Sequence, residues 1–210
     1  MRCIDLTHTI KPGMPVYPGT GPPLINRPCT IEQNGFEERK LTFYSHTGTH
    51  LDSPAHILKE GITLDRLPLE HFYGPAAVID ATGVPGREIP IELLNTLGGN
   101  KVDFIIFYTG WCEKWGKPGY FENYPVLAPE TARSLAERGI KGVGIDAISV
   151  DPMHSTDFTI HKILLGAGLV IIENLTNLKN LAGKEFTLYC FPLKIEMADG
   201  SPVRAAAVLE

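Results

Sequence analysis

The segment from residue 45 to residue 56 reads Ser45-His46-Thr47-Gly48-Thr49-His50-Leu51-Asp52-Ser53-Pro54-Ala55-His56. It places three of the chain's seven histidines and one aspartate within eleven positions. Imidazole and carboxylate groups together are ligands for Zn²⁺, Mn²⁺ and Fe²⁺. The segment contains no cysteine, which argues against a closed structural zinc site of the cysteine type. It therefore predicts a hydrolytic metal site that keeps one coordination position open for water.

Two backbone conformations would bring these side chains together. A helix would place His46 and His50 on one face, since they are four residues apart. Gly48 between two threonines, with a proline close behind, disfavours a helix. In an extended or turning segment, His46, His50 and Asp52 would share one face, because alternate side chains of a strand point the same way. His56 would then lie beyond a turn, which suits a proton carrier better than a fourth ligand.

The whole chain has the composition of a globular protein. It has 210 residues, of which 43% are hydrophobic and 20% charged, and we expect one domain over residues 1–210. The formal net charge of −5 argues against a nucleic-acid partner, which would require a basic face. The apolar runs are too short to cross a membrane, and no signal peptide is evident. Four widely spaced cysteines indicate free thiols, so we expect a cytoplasmic protein: Cys3, Cys29, Cys112 and Cys190.

Three continuous apolar runs predict strands that are buried on both faces, as in a parallel sheet: 102–108, 143–146 and 169–174. The clearest helical pattern lies between the first two runs, at 129–138, and a second lies between the last two, at 160–165. This order predicts βαβ units and an α/β fold.

The sequence also predicts a short helix, a loop and two late strands. Residues 90–98 form a short helix in this interpretation, and 111–124 form an aromatic loop that covers part of the molecule. Two final strands, 186–195 and 203–208, are separated by a turn at Asp199-Gly200.

Three residues outside the segment are further candidates. Glu173 ends an apolar strand, where a carboxylate is costly unless a cation accompanies it. His161 lies on the second predicted helix. Tyr17 lies in a loop rich in proline and glycine and either packs in the core or forms a wall of a substrate pocket.

The stretch from His46 to His56 resembles the HxGTHxDxPxH signature of the cyclase family of metal-dependent hydrolases, which includes bacterial kynurenine formamidases and isatin hydrolases. The resemblance extends over nearly the whole chain, including the loop around Tyr17 and the pair His161 and Glu173. It implies a compact mixed α/β domain with a swivelling β/β/α core, assembled as a homodimer or homotetramer.

The resemblance also implies the ligands of one or two divalent ions per chain, with Zn²⁺ expected first and Mn²⁺ as an alternative. His46, His50 and Asp52 correspond to ligands of a first ion. Asp52 and Glu173 correspond to carboxylates that bridge two ions, and His161 to a ligand of the second.

The remaining roles concern the substrate. His56 corresponds to the general acid/base. Tyr17 corresponds to the position from which formamidases of this family present a tryptophan to the substrate. This difference bears on the choice among three hypotheses. The first is an arylformamidase that uses a metal-activated water to convert N-formyl-L-kynurenine to kynurenine and formate. The second is a hydrolase of a lactam or cyclic amide such as isatin, and the third is a metal-binding protein without catalysis.

Overall fold

The apolar runs of the sequence form the middle of one large sheet. The computed structural model describes residues 1–99 and 101–209. Thirteen strands lie in these residues and are numbered β1 to β13 in chain order: Arg2–Asp5, Leu24–Cys29, Glu38–Thr42, His50–Asp52, Tyr73–Asp80, Glu88–Ile89, Phe104–Tyr108, Val126–Leu127, Gly142–Ile145, Val170–Glu173, Phe186–Tyr189, Gly200–Pro202 and Ala206–Leu209.

The helices are few and short. Three α-helices, α1 to α3, lie in the described part of the chain: Ile31–Asn34, Pro129–Ala136 and Thr159–Gly166. The same residues contain six 3₁₀ helices: Pro54–His56, Leu64–Arg66, Leu69–Phe72, Ile91–Leu97, Trp111–Lys114 and Leu178–Asn180. None of the helices described is long and apolar enough to span a bilayer.

Nine strands form a mixed sheet in the order β1-β13-β11-β5-β7-β9-β10-β4-β12. Neighbours among β5, β7, β9 and β10 run parallel, and the remaining pairs are antiparallel. The chain passes through α2 between β7 and β9, and through α3 between β9 and β10. The predicted α/β class, mixed sheet and βαβ units are therefore confirmed.

Burial on both faces explains why the central strands are continuously apolar. Ile105 and Phe107 of β7 enter one hydrophobic cluster together with Leu135 of α2. The intervening Phe104 and Ile106 enter a second cluster on the opposite face. Each fully buried side chain of this size contributes about 1.5–3 kcal/mol relative to exposure, so the two clusters fix the position of the sheet.

The sheet curls, so that its edge strand β1 leads back toward β10. The backbone N–H of Leu6 donates to Ala205 O at 2.9 Å. On its other side, Leu6 O accepts from the N–H of Thr176, just after β10, at 3.0 Å.

Residues 90–98 contain the predicted short helix, which is a 3₁₀ helix, Ile91–Leu97, followed by Gly98 with φ +57°. One predicted element differs from the structure, because Asp199-Gly200 is not a simple hairpin turn. Gly200 begins β12, which pairs with β4 at the far end of the sheet, while β11 and β13 pair with each other. The Asp-Gly signal is local and does not reveal this long-range pairing.

Candidate metal centre

The pairing of β4 with β10 and β12 places the central site residues. β4 lies between the two, antiparallel to both. His50 is opposite Glu173 of β10, and Asp52 is opposite Gly200 of β12. His50 and Asp52 are two residues apart and share one face, as the sequence predicts.

His46 reaches the same face from a turn, which is one of the two conformations, extended or turning, that the sequence allows for this segment. The strand begins only at His50. Gly48, with φ +68°, reverses the chain between the two histidines, and a Cβ there would lie 3.1 Å from Met14 Cε. The turn brings Nδ1 of His46 to 2.7 Å from Oδ1 of Asp52.

The two buried carboxylates lie between histidines. Nε2 of His50 is 3.3 Å from Oδ1 of Asp52 and 3.5 Å from Oε2 of Glu173. Nε2 of His161, on α3, is 3.8 Å from Oδ2 of Asp52 and 3.5 Å from Oε1 of Glu173. Each carboxylate therefore turns different oxygens toward two imidazoles, an arrangement in which it could bridge two cations.

The donor set fits a divalent metal. Ligand atoms of His46, His50 and Asp52 lie within 4.8 Å of one another. Asp52 is only 1% exposed, and its buried Oδ2 has no hydrogen-bond partner in the described residues. A buried carboxylate oxygen without a partner is costly, and a cation would remove that cost.

The pKa values of His46 and His50 also indicate that the buried carboxylates favour a positive charge beside them. Burial disfavours the imidazolium forms, but the Asp52 carboxylate, with Asp199, raises the pKa of His46 to about 9. Against the same burial, Asp52 and Glu173 raise the pKa of His50 to about 10. In the metal-free protein these histidines are therefore protonated at neutral pH, and protons supply the charge that an ion would bring.

Hydrogen bonds on Nδ1 orient two of the histidines. Nδ1–H of His50 donates to Gly48 O at 2.8 Å. Nδ1–H of His161 donates to Oδ2 of Asp151 at 2.7 Å, and backbone N–H groups at the start of α3 also donate to Asp151. Both arrangements leave Nε2 facing the carboxylates, as in metal-binding histidines. The sequence shows of Asp151 only that it follows a buried strand, so the role of this carboxylate is visible only in the structure.

The aromatic segment 111–124 supports this arrangement from the core. Trp111, Tyr120 and Tyr124 are buried. The hydroxyl of Tyr120 donates to Oδ1 of Asn174, and Nδ2 of Asn174 donates to Gly48 O, which also accepts from His50. The segment lies at the surface, with most of its polar residues exposed, but it places these aromatic side chains in the core and braces the turn that carries a candidate ligand.

His56 lies beside the cluster, on the 3₁₀ helix Pro54–His56. Its ring packs against that of His46 with centroids 3.9 Å apart. Its side chain is 27% exposed. Burial lowers the pKa of His56, although the Asp52 carboxylate opposes this effect. The position beyond the turn and partly open to solvent matches the geometry expected of a proton carrier.

Tyr17 contacts the loop that follows Asp151. It is half-buried, and its hydroxyl donates to Met153 O at 3.3 Å. Burial raises the pKa of the phenol, and the carboxylates of Glu173 and Asp151 raise it further. The Tyr17 phenol is therefore close enough to Glu173 and Asp151 for their negative charges to affect its ionisation.

Asp199 is a site residue that the sequence analysis missed. Its Oδ2 accepts from Nε2–H of His46 at 2.8 Å and lies 3.5 Å from Nδ1 of His56. The hydrogen bond from His46 lowers the pKa of Asp199. The only sequence signal at this position is the Asp199-Gly200 pair, a pattern that predicts a turn.

Known proteins are similar to this chain in sequence and in fold. Residues 4–152 match the Cyclase family model, described as "Putative cyclase". Kynurenine formamidase of Salinibacter ruber is 34% identical, over 98% of this chain and 96% of its own length. Isatin hydrolase A from Labrenzia aggregata is 28% identical with a TM-score of 0.89, over 98% of this chain and 93% of that one. A structure described as a "predicted metal-dependent hydrolase" from Bacillus stearothermophilus is 29% identical with a TM-score of 0.78, and the match covers 98% of this chain and 97% of that one. The match covers most of the chain, including the histidine-rich segment, and the chain belongs to the cyclase family.

Proposed function

We propose that this protein is a metal-dependent arylformamidase that hydrolyses N-formyl-L-kynurenine to kynurenine and formate. One observation carries the proposal: Asp52 and Glu173 lie between His50 and His161 with their oxygens divided between the two imidazoles. The full-length similarity to a kynurenine formamidase supports the choice of substrate.

The residues that would hold metal fall into two groups. His46, His50 and Asp52 would hold one ion, and His161 with the bridging Asp52 and Glu173 would hold a second. Zn²⁺ is the first expectation and Mn²⁺ the alternative, since both accept imidazole and carboxylate ligands. When bound, the metal would polarise the substrate carbonyl and lower the pKa of water toward about 7.

His56 would move the proton. Its imidazole is next to the cluster without being enclosed by carboxylates, and burial keeps its pKa low. A neutral imidazole can accept a proton from water and return it to the leaving nitrogen. General acid/base catalysis of this kind contributes roughly 10²–10⁴-fold to the rate.

Tyr17 would form one wall of the substrate pocket. Its ring stands on a loop stiffened by Pro15 and Pro18, and its hydroxyl is anchored to Met153 O. A fixed aromatic surface beside the carboxylates suits a flat aryl amide.

A second candidate is hydrolysis of a lactam such as isatin. The similarity to isatin hydrolase A favours it, as does the presence of tyrosine at position 17, where the resemblance to formamidases implies tryptophan. A metal-binding protein without catalysis is the third candidate, and it would not require a partly exposed His56 beside the cluster.

We further propose that the enzyme is a cytoplasmic homodimer or homotetramer that acts on a small-molecule amide, not on a nucleic acid or membrane. Its cysteines are free thiols, which agrees with a reducing compartment. Apolar side chains exposed on the β2–β3 hairpin and on a late loop support self-association: Leu24, Leu41, Phe191, Leu193 and Met197.

Parallel assays test the substrate. Purified protein supplied with Zn²⁺ or Mn²⁺ is given N-formyl-L-kynurenine or isatin, and a chelator-treated sample serves as the control. We expect rapid metal-dependent release of formate from N-formyl-L-kynurenine. Turnover of isatin alone would favour the second candidate, and metal-loaded protein that hydrolyses neither would contradict both.

A further inference from the structure

Asp199 lies between two imidazoles that the proposed reaction uses differently. The same oxygen, Oδ2, is 2.8 Å from Nε2 of His46 and 3.5 Å from Nδ1 of His56. The two rings are packed together, with a tilt of 38° between their planes. A single carboxylate therefore faces one nitrogen of a candidate ligand and one nitrogen of the candidate general base.

The backbone holds Asp199 in this place. Its carbonyl oxygen accepts from both the N–H and the Oγ–H of Ser53, at 2.9 and 3.0 Å. The next residue, Gly200, is paired with Asp52 across the ladder. A Cβ on Gly200 would lie 2.5 Å from Cε1 of His46, so the absence of a side chain lets the ring approach the strand.

The orientation of His46 explains the need for this carboxylate. His50 and His161 each satisfy Nδ1 with an acceptor and present Nε2 to the carboxylates. His46 is reversed, because Nδ1 faces Asp52 and Nε2 points away. An imidazole that binds metal through one nitrogen donates a hydrogen bond from the other, and Asp199 is the acceptor in that position.

We propose that Asp199 is a positioning residue. It holds the Nε2–H of His46, so that Nδ1 is the nitrogen left free for the metal. It also faces Nδ1 of His56 and leaves Nε2 of that ring for proton transfer. This inference rests on the proposed function, but its first half is tested by metal binding without any substrate.

The test compares Asp199→Asn and Asp199→Ala with the wild type at fixed pH. Zinc affinity is measured by competition with a chromophoric chelator, and kcat and KM are measured on the amide that the wild type hydrolyses. We expect zinc affinity to fall about 10–100-fold, as for other partners of metal-binding histidines, with the zinc content at saturation unchanged. The kcat should fall while KM changes little, and Asn should retain more affinity than Ala because its amide oxygen still accepts a hydrogen bond.

Glu196→Gln is the matched control, because it removes an exposed carboxylate from the same loop. It should leave affinity and kcat unchanged. Unchanged zinc affinity in both Asp199 variants would overturn the proposal. Loss of a full equivalent of zinc at saturation would also overturn it, since Asp199 would then be a ligand. If Asp199→Ala does not fold, the zinc affinity of Asp199→Asn alone tests the proposal. A wild type that binds zinc but hydrolyses no amide would contradict the proposed function and leave the affinity test of Asp199 valid.

Discussion

Asp52 and Glu173 divide their oxygens between the same two histidines. Oδ1 of Asp52 and Oε2 of Glu173 lie 3.3 and 3.5 Å from Nε2 of His50. Oδ2 and Oε1 lie 3.8 and 3.5 Å from Nε2 of His161. The pairing of β4 with β10 brings His50, Asp52 and Glu173 together, and α3 adds His161. This arrangement is the reason that we propose both carboxylates as metal ligands.

Asp52→Asn tests this assignment. The amide keeps the shape of the carboxylate but removes the charge that a divalent ion requires. We expect zinc content after dialysis to fall steeply, with an affinity loss larger than the roughly 10–100-fold typical of residues outside the ligand set. Elemental analysis measures the content, with Asp157→Asn, which neutralises an exposed carboxylate near α3, as the control. Full zinc occupancy in Asp52→Asn would disprove its role as a ligand.

His56→Ala should separate proton transfer from metal binding. His56 lies beside the cluster, so its loss should leave zinc content intact while kcat falls by about 10²–10⁴-fold. Steady-state kinetics combined with elemental analysis measures both quantities. His71→Ala is the control, since His71 is a partly exposed histidine whose ring bonds only Gly168 O among the described residues. A fully active His56→Ala variant would rule out the assigned role.

Zinc binding should release protons at pH 7. Nearby carboxylates outweigh burial and raise the pKa of His46, His50 and His161 to about 9, 10 and 10 in the metal-free protein. These groups are therefore protonated at pH 7, and a metal that needs a neutral nitrogen must displace the protons. Affinity should rise as the pH increases toward 9–10. Titration calorimetry in two buffers with different ionisation enthalpies counts the protons; a count of zero at pH 7 would contradict the charge state described.

Gly200→Ala should weaken metal binding through His46. The added Cβ would lie 2.5 Å from Cε1 of His46, closer than van der Waals contact allows, so the ring must shift from the position in which its Nδ1 is 2.7 Å from Asp52. We expect a loss of zinc affinity with the fold retained, measured by chelator competition and thermal unfolding. Gly83→Ala is the control, because a Cβ there meets no atom within 4 Å. Equal zinc affinity in the two variants would show that the approach of β12 to His46 is unimportant.

The sequence predicts best what depends on local pattern. The apolar runs predict β7, β9 and β10, because strands buried on both faces need apolar side chains at every position. His50 and Asp52 could be placed together because they are two residues apart on one strand. Glu173 could also be identified from the sequence, because it ends an apolar run, where a buried carboxylate is costly without a cation.

What the sequence could not predict depends on distant pairings. Asp199 is 153 residues from His46 and reaches it only because β12 joins β4. Asp151 lies 10 residues from His161, and their contact depends on how the loop after β9 returns to the start of α3. The sequence leaves open whether His46 lies on an extended segment or on a turn, and the positive φ of Gly48 selects the turn.

The most direct test follows hydrolysis during reconstitution with zinc. Metal-free protein is titrated with zinc while formate release from N-formyl-L-kynurenine is measured at each step. We predict negligible activity at the start and a rise in proportion to bound zinc until the sites formed by His46, His50, Asp52, His161 and Glu173 are filled. Full activity in the metal-free protein, or saturation with zinc without any hydrolysis, would contradict the central claim that this cluster is the catalytic metal centre.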